Sequence, residues 1–162
     1  MNRFRTVFFA TVAAIIFLAG EAGGTGLEKQ AEDPRAVVSG FWYTEGRDGV
    51  VEIYPCGDEI CGRLQWIEDE GNHSHDTRNP DPDLRQRPLC HLQFMGGFTP
   101  DGKDHFADGW IYSPRNGGTY SAEMTLVDHE TLDLHGYLFV PMLGESQVWK
   151  RAKKMNSCAN GR

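Results

Sequence analysis

From Gly40 to Ala152 apolar and polar residues alternate in short runs, each closed by Gly, Asp, Asn or Pro. A repeat of two residues is the mark of half-buried strands in an antiparallel sheet. The clearest run covers Thr131 to Phe139, where Leu132, Leu134, Gly136 and Leu138 share one face and Asp133, His135 and Tyr137 the other. Ile60, Leu64 and Trp66 align in the same way, with Arg63 and Gln65 opposite. The pattern predicts strands near 40–44, 50–55, 60–67, 89–95, 105–113, 119–127, 131–139 and 147–152. The stretches 113–120 and 125–132 read as hairpin connections, with Asn116 and Gly117 suited to positive φ. A helical period is missing beyond the N-terminal segment. Strands this short, joined by tight turns, have exposed edges unless the sheet closes on itself. The expected fold is therefore all-β, an antiparallel up-and-down barrel of about eight strands.

The two ends of the pattern sharpen that expectation. Gly40-Phe41-Trp42 opens the first strand, and Trp149-Lys150-Arg151 lies in the last. Closure sets these strands side by side, so that the Arg151 guanidinium can cover the Trp42 indole, with Gly40 leaving room for the approach. Trp42, Trp149 and Arg151 are thus assigned structural roles. A Gly-x-Trp start with a late arginine resembles the calycin superfamily of lipocalins, fatty-acid-binding proteins and avidins.

Further motifs narrow the likeness. In order they are GFW, VVEIYPCGDEICGRLQW from Val50 to Trp66, NPDPDLRQRPL from Asn79 to Leu89, GGF at Gly96 to Phe98, GWIYSPRNGGTYSAEM from Gly109 to Met124, then LHGYL and QVWKR. Together they resemble the exported bacterial family called domain of unknown function 2147, over Gly40 to Arg151. The resemblance implies a small calycin-like barrel in the periplasm or outside the cell, and no assigned activity. Ser113 departs from the family's aspartate before proline, and Cys90 with His91 replaces an apolar and a glycine position.

The N-terminus supports export. Basic MNRFR precedes an uncharged apolar run at 6–20, the length of a secretory core rather than of a membrane span. The expected division is a signal peptide at 1–22, a flexible leader at 23–38, the barrel at 39–152 and a tail at 153–162. The chain of 162 residues carries a net charge of −7, and cleavage after Ala22 would remove Arg3, Arg5 and Glu21 and leave the remainder one unit more negative. Such a surface repels phosphate backbones, which argues against nucleic acid as a partner. In an oxidising compartment the four cysteines can pair. Cys56 and Cys61 flank a turn-like GDEI and are expected to bridge. Cys90 and Cys158 either fasten the tail to the barrel, stay free, or pair between molecules.

Candidate chemistry is sparse. Pro80, Pro82 and Pro88 stiffen 79–89, which reads as a rigid cover over one barrel end, held by pairing of its acids with Arg85 and Arg87. Alternatively Arg85 and Arg87 face the lumen and clamp a carboxylate or phosphate. Trp66, Tyr120, Met124 and Leu134 are the lumen candidates for a small, partly apolar or anionic ligand. His73, His75 and Asp76 form a His-x-His-Asp run, a weak metal signal in a polar loop, and no metal or cofactor is assigned. No nucleophile elbow, HExxH helix, phosphate loop or dinucleotide fingerprint occurs, so catalysis is not expected. A ligandless envelope module working by protein contact and a metal-binding loop protein remain the alternatives to a binding barrel.

Overall fold

The computed structural model describes residues 32–68, 75–153 and 158. Residues 1–31, which hold the expected signal peptide and most of the leader, lie outside that set, as does His73. Eight strands run as β1 Gly40–Tyr43, β2 Gly49–Cys56, β3 Glu59–Ile67, β4 Gln93–Pro100, β5 His105–Ser113, β6 Gly118–Asp128, β7 Thr131–Tyr137 and β8 Glu145–Ala152. Each pairs antiparallel with its neighbours in chain order, and β1 closes on β8, with Trp42 opposite Arg151. Closure satisfies the backbone groups that an open sheet would leave on two edges. The all-β up-and-down barrel expected from the sequence is the fold observed.

Apolar side chains fill one half of the barrel. Trp42, Val51, Ile53, Ile60, Met95, Phe98, Phe106, Met124, Leu132 and Trp149 are buried in one cluster. Burying each such side chain contributes about 1.5–3 kcal/mol, and a meander of neighbouring strands lets every strand contribute from one face. Two registers differ from the simple alternation. Val50 pairs with Trp66 while Val51 pairs with Leu64, so Gln65 is an extra residue in β3. This bulge shifts the phase, and Ile67 rather than Trp66 follows Leu64 inward. The fourth strand begins at Gln93, not Leu89, because Leu89 to Leu92 form a turn with Leu92 N–H on Leu89 O. His91 sits there at φ 60, the left-handed conformation that glycine favours.

The end of the barrel at the β1 start is plugged. Pro34–Val38 form a short helix, α1, capped by Asp33, whose carboxylate accepts from Arg35 N–H at 2.9 Å. Residues 34–38, placed in the leader by the sequence reading, form this plug. Val38 is buried, and its carbonyl accepts the Trp42 indole N–H at 3.0 Å. Arg151 lies 4.1 Å above the Trp42 ring and donates to Val37 O at 2.9 Å, Ser39 O at 3.0 Å and His129 O. One fork thus ties the helix end, the β6–β7 turn and the first strand together. A Cβ on Gly40, at φ 132, would come within 3.0 Å of the guanidinium, so glycine is required there for both reasons.

Candidate functional site

At the opposite end the barrel is open. The loops β1–β2, β3–β4, β5–β6 and β7–β8 surround a cavity of about 1180 Å³. Its wall comes from inward positions of successive strands: Leu64 and Ile67 of β3, Phe94 of β4, Ile111 of β5, Leu134 of β7 and Trp149 of β8. The Trp149 indole N–H donates to Gln147 Oε1 at 3.0 Å, which leaves the wall apolar between them. Gly136 also lines the space, and a Cβ there would meet nothing nearer than Ile111 Cγ2 at 3.8 Å. Missing side-chain bulk at this inward position is part of why the upper half is hollow while the lower half is filled.

The rim is polar. Asp48 and Arg115 form an ion pair between the β1–β2 and β5–β6 loops, and Arg78 donates to the Arg115 carbonyl. Asp48 also accepts from Thr44 Oγ1 at 2.7 Å. Burial raises the Asp48 pKa, but the Thr44 hydroxyl and Arg115 together outweigh it and hold the carboxyl below its usual range. Asn116 Nδ2 donates to the Tyr120 hydroxyl at 2.7 Å, and Glu68, His75, Thr77 and Glu145 complete the edge. The entrance therefore carries both signs of charge above an apolar chamber.

A separate knot holds the proline-rich cover. Asp76 is fully buried. Its Oδ1 accepts from Tyr112 Oη at 2.6 Å, and its Oδ2 accepts from Asn79 Nδ2 at 2.7 Å and lies 2.7 Å from Arg87 Nη2. The Arg87 guanidinium also lies 5.3 Å from the Tyr112 ring centre. Burial alone would raise the Asp76 pKa, yet the three donors win and lower it. Tyr112 responds in the opposite direction, raised by burial and by the adjoining carboxylate. Asp76 N–H on Arg87 O and a bridge from His75 to Pro88 fasten the two ends of the segment to each other.

These contacts decide the roles of the predicted site residues. Tyr120 and Leu134 line the cavity. Met124 is buried in the filled half, because it lies two inward positions below Tyr120. Trp66 is half-buried and off the cavity wall, displaced by the Gln65 bulge. Arg85 donates its Nε to Asn79 O at 2.9 Å, and Arg87 is committed to Asp76; neither lines the cavity. In place of the expected lumen clamp both guanidiniums make contacts within the cover, as the stiff-cover reading of 79–89 has them. His75 reaches the rim while Asp76 is used in the knot, and among the described residues no group of three or more His, Cys, Asp or Glu gathers as a metal site. The disulfides Cys56–Cys61 and Cys90–Cys158 both form, each with Cα atoms 5.8 Å apart. The second fastens the tail beside the bulge, where Cys158 N–H donates to Gln65 O at 2.7 Å.

Sequence reasoning missed Arg78, Arg115, Asp48 and the β7–β8 loop as parts of the mouth. Strand alternation carries the signal for Phe94, Ile111 and Gln147, but loop residues converge only once the barrel closes.

Residues 40–151 match a family described as uncharacterized proteins conserved in bacteria, DUF2147. No curated protein matches the chain. Among solved structures, protein HP1028 from the human pathogen Helicobacter pylori, described as belonging to the lipocalin family, is similar at a TM-score of 0.65. The two are 21% identical over 71% of this chain and 82% of that one, a likeness that establishes a shared lipocalin-like fold.

Proposed function

We propose that this chain, which belongs to the bacterial family of uncharacterized proteins DUF2147, is an exported carrier of a small amphipathic molecule. The observation that carries the reading is the hollow upper half of the barrel, about 1180 Å³ with apolar walls and one polar opening. That volume suits a ligand of a few tens of heavy atoms, since small-molecule sites commonly occupy about 300–1,000 Å³. Leu64, Phe94, Leu134 and Trp149 hold its apolar body, while Arg115, Asn116 and Tyr120 stand where a polar or anionic head would lie. The export part of the proposal is supported by the basic residues ahead of the apolar run at 6–20. A barrel acting only through protein contact has no need of an open interior, and this favours binding over the ligandless alternative.

The test is native mass spectrometry of the purified protein, followed by thermal shift with a series of long-chain fatty acids. A ligand at a hundred times its Kd stabilises the fold by about 2.7 kcal/mol. The variant Gly136→Leu projects side-chain bulk into open space, so it should fold normally and lose both the bound mass and the shift. A clean apo spectrum, no shift with any acid, and no difference between the two proteins would refute the reading.

A further inference from the structure

The loop between β7 and β8, Leu138-Phe139-Val140-Pro141-Met142-Leu143-Gly144, contains no charged or hydrogen-bonding side chain in seven consecutive residues. Phe139 is 88% exposed, Met142 94% and Leu143 79%. Side chains that open do not lie on the protein's surface; they project from it. Single exposed apolar residues are common, but a run of this kind at one tip is not.

The loop is nevertheless built, not loose. Pro141–Leu143 form a 3-10 turn, with Leu143 N–H on Val140 O and Gly144 N–H on Pro141 O, both at 3.1 Å. His135 holds it from β7, with Nε2 2.7 Å from Pro141 O and Nδ1 2.9 Å from Ser146 Oγ. A Cβ on Gly144 would collide with Gly136 O at 2.5 Å, so the loop is drawn tightly against β7. Ordering costs little on docking when the shape already exists.

We infer that this loop is a lipid-docking tip, which inserts Phe139, Val140 and Met142 into the acyl boundary of a membrane and sets the barrel mouth on its surface. Leu138, Leu143 and Gly144 line the cavity itself, so the apolar tip is continuous with the chamber wall. The shape favours a fluid medium over a protein groove, because the nearly complete exposure of Phe139 and Met142 leaves no flat, polar-rimmed patch for a folded partner. The rest of the barrel stays in water. Its outward strand positions hold Glu52, Arg63, Glu123, Asp133 and Lys150, the reverse of a lipid-embedded barrel. The chain's net charge of −7 supplies no attraction to anionic headgroups, so apolar burial is the driving force. This inference concerns the outer tip and stands whether or not the cavity holds cargo.

Vesicles of phosphatidylcholine provide the test. Wild-type protein should co-sediment with them equally at low salt and at roughly 1 M, where the Debye length falls to about 3 Å. Adding phosphatidylglycerol should not strengthen binding. The double variant Phe139→Ser with Met142→Ser, both at exposed positions, should fold with unchanged thermal stability and partition at least roughly 100-fold less. An environment-sensitive dye on a Phe139→Cys variant should shift to the blue and be quenched by brominated acyl chains. Equal co-sedimentation of wild type and double variant, or an unshifted dye, overturns the inference. So does a wild type that ignores vesicles while forming dimers that the double variant does not form, which would assign the tip to a second copy of the chain.

Discussion

Replacing Asp76 should be among the most damaging single changes outside the apolar core. Asp76→Ala removes the acceptor of the Tyr112 hydroxyl, the Asn79 amide and the Arg87 guanidinium together. Hydrogen bonds to a charged group contribute about 1.5–3 kcal/mol each, and donors left buried keep their full desolvation cost. The Arg87 side chain is 31% exposed and can rehydrate, so its share is discounted. Tyr112 and Asn79 are buried and cannot. The expected loss is about 3–4 kcal/mol, and about 2 kcal/mol for Asp76→Asn, which keeps the shape but gives up the charge and one accepting edge. Because the donors lower the Asp76 pKa, its stabilisation is complete above the unfolded value, near 3.9, and disappears as pH falls through the folded one. The gap between wild type and Asp76→Asn should thus be widest at neutral pH and close progressively below about pH 4. Urea unfolding at a series of pH values reads both quantities. An alanine variant within about 1 kcal/mol of wild type, or a gap that stays constant into acid, would refute the account of the knot.

The closed end and the cysteines give further expectations. Arg151→Lys keeps the charge but cannot reach Val37 O, Ser39 O and His129 O at once, and should cost about 2 kcal/mol in urea unfolding, whereas an effect below about 0.5 would remove the fork from the closure argument. Cys90–Cys158 spans a sequence separation of 68 and Cys56–Cys61 one of 5. In the chain-entropy treatment, loss of the first pair by Ser substitution costs about 4 kcal/mol and loss of the second about 2, so the melting temperatures of the two double variants should differ in that order; the reverse order would place the short bridge's role in the native hairpin instead.

Much of the scaffold can be read directly from residue order. Leu132, Leu134 and Gly136 alternate with Asp133 and His135, and this local period announces a strand whatever lies beside it. Trp42 and Arg151 were also legible as a closing pair, since an up-and-down barrel must bring its first and last strands together and the observed register does so. Cys56 and Cys61 are close in the chain, so their bridge needs only a hairpin. The plug at Pro34–Val38 was not legible, because five residues hold too little period to reveal a helix whose stability comes from Trp42 and Arg151.

What tertiary structure alone decided is which inward residues face a void and which face one another. Met124 and Tyr120 have the same parity in one strand, yet one is packed among rings and the other opens on the cavity. One extra residue at Gln65 turned Trp66 away from the lumen and brought Ile67 toward it. Arg87 could pair with a ligand or with Asp76, and only the folded chain brings it, with Tyr112 and Asn79, onto that one carboxylate. Periodicity is a property of neighbours in sequence and so survives in the bare chain. Cavities, bulge phase and the partners of a charged fork depend on atoms tens of residues apart, and those distances exist only after the barrel has closed.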